Sequence, residues 1–507
     1  AMTIDRNTLM LATASLFALS SNFACAEDKG LTTRLGEAEI SVTLDAALAG
    51  FALRNAQFGA GSAGQNGIRQ GGRDWIEGFA KPGVEISAPL GNGQAYGLLS
   101  AIGTITRGDG DAQATSGTSM RPSHLAPEDY AIGWRSGGSF AALGEDAIDI
   151  SLGNQAFSIG DGFLILDGTA EGSRRAAYVL GPRAAFADTA ILRINTAPLR
   201  ADLFHLAGNV DQRRMLAGDA PATRLYGANL EWFGSGNGNK GRNAYEDRAW
   251  YLGLTALHVY DADSSGALSF ANGNNGSAGG ANRDGLNVFS IRSGGAVLAP
   301  LDEALEPLGE ALSDFGFYAE YAVQRNDSTN RKVRAHAWYV EPQYTVSSLP
   351  WTPKLAYRYA YFSGDANTND ATDKSWDSLY SGGGPRGFGR WDQGEIYARY
   401  VGGNSNLASH MLHLSLQPAE AWQIGAIYYR HDFDKAPAGV SSSRLMDEID
   451  LYAQWDTPLK GLGITLLTAA GKPGSGQKQQ LTSNAAGNGE AVDRTIWLGQ
   501  IVLSYSF

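Results

Sequence analysis

The sequence contains one cysteine, Cys25, and it lies just ahead of the expected export-cleavage point, so the mature chain is expected to have none. That excludes a disulfide framework, thiol catalysis and a thiolate metal centre in the mature protein. Small exported globules often lean on disulfides; a closed β-barrel does not, because its ladder already satisfies the backbone. The chain after the start also lacks any run of roughly 18 apolar residues, which excludes a helical membrane anchor. Charged residues make up only 18% and the formal net charge is −12, so nucleic acid is not an expected partner. There is no G-x-S-x-G and no H-E-x-x-H. Three G-x-G-x-x-G matches, starting at Gly59, Gly236 and Gly382, are incidental among 65 glycines. None of them opens a helix after a strand.

The start of the chain has Met2, Arg6, an apolar stretch from Leu9 to Leu19, and then Ala24-Cys25-Ala26. A basic start, a short apolar core and an A-x-A site predict a secretory signal over residues 1–26, with Ala1 an addition ahead of the natural start. The remainder, 27–507, is expected to be one exported domain.

That remainder is rich in glycine and aromatics, with Tyr 21, Phe 19 and Trp 11. Segments of about ten residues alternate apolar and polar side chains, separated by Gly, Asn, Asp and Ser. Examples are EISVTLDAAL from Glu39, TRLYGANLEWFG from Thr223, KLAYRYAYFSG from Lys354, EIYARYVG from Glu395 and EIDLYAQWD from Glu448. In the last, Ile449, Leu451, Ala453 and Trp455 share one face, and Glu448, Asp450, Gln454 and Asp456 the other. A soluble sandwich gives the same alternation with its apolar face inward, but its strands average nearer 5 or 6 residues. Strands of about 9 to 11 residues fit a tilted membrane-spanning strand. Short connections such as 91–93, 196–198 and 418–421 alternate with long ones such as 55–80, 107–127, 261–284, 364–392 and 471–493. The fold predicted is therefore all-β: a single-chain transmembrane antiparallel β-barrel of about 18 strands (range 16–20), with short periplasmic turns and long extracellular loops. PLDEALEPLGEALSDF from Pro300 breaks the rhythm and reads as one or two short helices.

The C-terminal IWLGQIVLSYSF places Trp497, Gly499, Ile501, Leu503, Tyr505 and Phe507 on one face. Such a strand is expected to close the barrel against the first one and remove the open edge. It also resembles the signal read by the barrel-assembly machinery, an expected partner alongside outer-membrane lipid.

The stretch from Arg358 to Leu407 has an aromatic strand, then Ser363-Gly364-Asp365, a long loop, Gly394-Glu395 and Asn404-Ser405-Asn406-Leu407. These features resemble the alginate-export family of outer-membrane porins. LGNQAFSIGDGFLILDG from Leu152 resembles that family's Gly-Arg-Gln strand, with Asn154 in the arginine's place. The resemblance implies a single-chain outer-membrane barrel of about 18 strands in a Gram-negative bacterium. It further implies passage of an anionic polysaccharide through an arginine-lined pore, with no cofactor and no covalent step.

The phase of the strands selects the solute path. Arg193, Arg200, Arg358 and Arg399 fall on polar faces, as do Asp202, Glu231, Glu320, Glu395, Glu448 and Asp450. Between Ser173 and Arg214 seven arginines face three acids, so this part of a −12 chain is basic. Arginines aimed into a lumen would draw carboxylates; arginines paired with lumen acids would instead set pore size and a transverse field. Three functions stay open: export of a hydrophilic anionic solute or polysaccharide, uptake of small sugars or organic acids, and a barrel enzyme or adhesin. Asp365, Asp370 and Asp373 are weak calcium candidates in a loop that reads equally as solvated polar chain. His410 and His413 are three apart in a strand and so point to opposite faces, unable to chelate together.

Overall fold

A computed structural model describes residues 31–59, 62–64, 67–69, 72–110, 123–166, 168, 176–208, 223–234, 250–262, 283–298, 314–328, 331–367, 369–382, 388, 391, 393–484 and 493–507. The signal over 1–26, the helix expected from Pro300, and Arg174, Arg175, Arg213 and Arg214 lie outside these residues, apart from Asp314 and Phe315.

Eighteen antiparallel strands form one closed wall. They are β1 (Ala38–Arg54), β2 (Arg73–Leu90), β3 (Gly93–Gly108), β4 (Ser123–Arg135), β5 (Ile148–Gln155) and β6 (Phe186–Thr196). Next come β7 (Leu199–Ala207), β8 (Thr223–Gly234), β9 (Trp250–Ala262), β10 (Asn287–Gly295), β11 (Phe315–Asn326) and β12 (Lys332–Thr345). The last six are β13 (Lys354–Phe362), β14 (Leu407–Ala419), β15 (Trp422–Phe433), β16 (Arg444–Asp456), β17 (Leu462–Pro473) and β18 (Ile496–Ser506). Each strand pairs with the next in sequence, and β18 pairs with β1 from Trp497↔Arg54 to Ser506↔Asp45. Phe507 and Leu44 exchange two backbone hydrogen bonds of 3.1 Å, so the terminal residue completes the closure.

The orientation of the apolar face separates this wall from a sandwich. Leu203, Leu230, Leu254, Phe289, Ile291, Leu412, Ile449, Leu466 and Ile501 are exposed in mid-strand. Their alternate neighbours Asp202, Glu231, Thr255, Ser290, Met411, Glu448, Leu467 and Gln500 are buried. A wall that is apolar outside and keeps its charged side chains inside, among further apolar ones, is stable only with hydrocarbon around it. Aromatic rings gather outside toward both rims. Trp232 with Trp250 (centroids 5.7 Å apart) and Trp422 stacked on Trp455 (5.3 Å) mark the short-turn end. Tyr226 with Tyr260 (6.0 Å) and Trp338 with Tyr361 (6.1 Å) lie toward the other. Such girdles sit at the two membrane–water interfaces.

Two expectations need correction. Strand length is not uniform: β1, β2 and β3 have 17, 18 and 16 residues, whereas β5 has 8. The first strands run long because a further strand, Leu31–Leu35, pairs with residues 38–42 along the edge that β18 occupies higher up. The segment EIYARYVG is not a wall strand. It forms a buried π-helical turn over Tyr397–Val401, because β13 pairs directly with β14 and leaves no ladder position for it. Connections at the short-turn end are tight at 91–92, 197–198 and 420–421 but longer at 136–147, 235–249 and 296–314.

Leu254→Arg puts a charge on the outer face near mid-strand and should cost about 2–4 kcal/mol in vesicles. Denaturant unfolding in lipid checks this, and an unchanged midpoint would contradict a lipid-facing wall.

Candidate functional site

Two of the long connections turn inward. The described parts of 156–185 and 363–406 carry large buried side chains: Phe157, Phe163, Ile165, Trp376, Tyr380, Trp391, Tyr397 and Tyr400. Inside the barrel they meet each other. Leu166 N donates to Tyr380 O at 2.8 Å and Tyr380 N to Leu164 O at 3.1 Å, a short parallel ladder. Phe163 packs on Trp391 (5.0 Å) and on the wall residue Tyr339 (5.4 Å), while Tyr339 Oη donates to Asp161 at 2.8 Å.

Backbone N–H groups of these inserted segments cannot join the wall ladder, so they need other acceptors. Wall carboxylates supply them. Glu77 accepts from Val179 N (2.8 Å) and Leu180 N (3.0 Å), and Glu128 from Ala184 N (3.0 Å) and Ala185 N (3.2 Å). Glu448 accepts from Ile396 N (2.6 Å) and Tyr397 N (2.8 Å), and Asp450 from Glu395 N (3.3 Å). Gly394 is a backbone requirement at this contact. Its φ is +102°, and a Cβ there would lie 2.6 Å from the Glu448 carboxyl group.

The ten residues named from the sequence for the solute path are all buried, none more than 6% exposed, eight on the wall and two, Glu395 and Arg399, on the inserted segment. They divide into two groups. Arg193, Arg200, Asp202, Glu231 and Glu320 belong to a wall network completed by Arg292. Arg200 Nε reaches Asp202 at 3.3 Å, Asp202 accepts from Asn229 at 2.9 Å, and Arg292 Nη2 meets Glu231 at 2.6 Å. Arg292 also donates to Asn229 and, at 2.7 Å, to Thr255 Oγ1, while Ser290 donates to Glu320. Arg193 lies opposite Asp202 and Asp149 in register, its guanidinium 5.9 Å from the Phe157 ring centroid. Pairing runs Arg200↔Glu231↔Gly253↔Arg292↔Glu320 across five strands, so charge alternates along this arc of the wall. Gly253 makes room for it, since a Cβ there would sit 2.8 Å from the Arg292 guanidinium.

The other five hold the inserted 393–402 segment. Arg358 stacks over Trp391 at 4.6 Å, donates to Gln393 Oε1 at 3.2 Å and lies 3.9 Å from Glu341. Arg399, on the π-helical turn and not on a strand, pairs with Glu395 at 2.9 Å, and Gln500 donates to Glu395 at 2.8 Å. Glu448 and Asp450 act on that segment's backbone as described.

The family-motif residues hold the base of the second insertion. Ser363 N donates to His336 O at 3.0 Å, and Gly364 N donates to Asp434 Oδ2 at 2.8 Å. Asp365 pairs with Arg331 at 2.5 Å, and Asp370 and Asp373 each approach the same guanidinium at 3.9 Å. The three calcium candidates thus converge on a cation the chain itself provides. Arg283, missed by the sequence reading, clamps the insertion through Asp377 at 2.5 and 2.6 Å. Burial alone would raise the Asp377 carboxyl, but the Arg283 charge and hydrogen bonds outweigh it and hold the group below its usual value.

Arg292 was legible in principle: Val288, Ser290 and Arg292 share a phase in NVFSIRSGG. Glu77 and Glu128 also sit on inward phases, but nothing local shows that they accept from a backbone a hundred or fifty residues away.

The wall, its outer girdles and its charged interior define an outer-membrane β-barrel channel. A family model described as alginate export matches residues 216–481, and the chain belongs to that family. No curated protein matches the chain. Among solved structures, Pseudomonas aeruginosa OccK5 (OpdH) superposes with TM-score 0.51 at 9% identity, over 92% of this chain and 98% of that one. OccK7 (OpdD) from the same organism gives 0.49 at 12% identity over 93% and 99%, and OprD gives 0.47 at 12% over 92% and 93%. The first of these likenesses supports the barrel fold.

Two outcomes test the insertion contacts. Gly394→Ala should leave the barrel intact but free the segment around Arg399, read as new trypsin cleavage there. Because the Asp377 carboxyl is held low when folded, its clamp should be fully present above about pH 4 and be lost as pH falls through the lowered value. Trp376 fluorescence should report that loss, and Asp377→Asn should abolish the transition.

Proposed function

We propose that the protein is a selective diffusion channel for small hydrophilic solutes, organic acids and sugar acids among them, with no covalent step. One observation carries this reading: arginines and carboxylates alternate along a five-strand arc of the inner wall, in a barrel whose interior also holds two inserted segments. An alternating arc attracts and orients a small polar solute without holding a charge of one sign along the pore. Arg193, Arg200 and Arg292 would engage a solute carboxylate, and Asp202, Glu231 and Glu320 its hydroxyl groups. Arg358, Glu395, Arg399, Glu448 and Asp450 would set the aperture by holding the insertion in place. Partner proteins or solute gradients would supply direction, since a passive barrel has none.

Family membership favours a second reading, export of an anionic polysaccharide. A long polyanion would be served by arginines in excess over acids and by an interior free of folded chain.

Planar-bilayer recordings under a salt gradient separate the two. The expected result is a small conductance with weak ion preference, reduced by a monomeric sugar acid. The double substitution Arg200→Ala, Arg292→Ala should move the preference toward cations. Strong anion selectivity with block by an oligomeric uronate alone would favour export, and a silent bilayer at every voltage would overturn the channel reading.

A further inference from the structure

The outer wall is not evenly covered with large side chains. Where β18 closes on β1, Gly50, Ala52 and Gly499 lie side by side, with Gly50↔Ile501 and Ala52↔Gly499 in register. They floor a groove of about 910 Å³ walled by Leu451, Leu466 and Ile501. A Cβ placed on Gly499 would meet nothing within 4 Å, so the groove is open space that a side chain could fill. Its volume lies within the range of sites that take a ligand of several tens of atoms.

One end of the groove is charged. Asp74 and Arg107 line it there. Asp74 is already matched by Arg54 at 2.9 Å. Arg107 is exposed, donates only to its neighbour's carbonyl, Thr106 O, at 2.8 Å, and meets no carboxylate among the described residues. It stands near the end of β3, beside the connection 109–122. That is the rim opposite the tight turns at 91–92 and 197–198, hence the outer-leaflet side. Trp497, half exposed on the same face, marks interface level close by.

We propose that this groove is a binding site for the lipid A part of lipopolysaccharide, one saturated acyl chain lying over Gly50, Ala52 and Gly499 and one phosphate on Arg107. Hydrocarbon covers the wall in any case. What singles out this place is a cleft of chain width ending at a cation that meets no carboxylate among the described residues, at the depth where an outer-leaflet glycolipid carries phosphate. An arginine there gives charge-assisted hydrogen bonds that a neutral headgroup cannot return. The site is independent of the lumen and of the solute.

The test is native mass spectrometry of the refolded full chain in detergent, titrated with bis-phosphorylated lipid A and, separately, with phosphatidylglycerol. One lipid A retained per chain is expected, with phosphatidylglycerol weaker. Gly499→Leu, whose Cβ would meet nothing within 4 Å, and Arg107→Ala should each weaken retention about tenfold. Heat-modifiable migration in detergent gels verifies that both variants fold. Retention unchanged in both variants, or equal retention of phosphatidylglycerol, would overturn the proposal.

Discussion

Everything in this molecule depends on the closed ladder. In hydrocarbon no water is available to a backbone N–H or C=O, so each must be bonded within the chain. An antiparallel wall with each strand beside its sequence neighbour does this locally, and only the contact between β18 and β1 spans the whole chain. Closure fixes the rest. It assigns one face of every strand to lipid and the other to the interior, and it confines loops to the two rims or the inside.

The interior follows the same accounting. Polar side chains that would be costly anywhere else in the membrane are gathered there, and nearly all the charges described face an opposite charge or a backbone donor. The described contacts give wall carboxylates two tasks. Some neutralise arginines of the wall, as in the Arg292–Glu231 pair. Others, Glu77, Glu128, Glu448 and Asp450, accept from the backbone of segments folded into the barrel. Breaking either kind would leave a buried charge or donor uncompensated, which is more costly than the net worth of the bond itself.

Much of the fold was legible in the sequence because a strand has a period of two. The alternation in EIDLYAQWD places Ile449 and Leu451 outward and Glu448 and Asp450 inward, and the structure has them so. The inward phase of Arg193, Arg200, Asp202, Glu231 and Glu320 came from the same rule. EIYARYVG broke it: its alternation is as good as any wall strand's, yet it folds as a turn of helix inside. Local pattern records which side chains are apolar, and it does not record whether a neighbouring strand has an edge left to offer.

The sequence by itself determined the class, the approximate strand number and which side chains face in, since these follow from periodicity, connection spacing and the need to bury or expose each face. Only the tertiary structure decided which inward charges meet. Arg292 joins Glu231 and Asn229 across two strands, and Glu448 caps a backbone some fifty residues away, contacts set by register and loop placement around the barrel. The groove over Gly499 is of the same kind. Gly50 and Ala52 make a cleft with the distant Gly499 only because closure brings the first and last strands together.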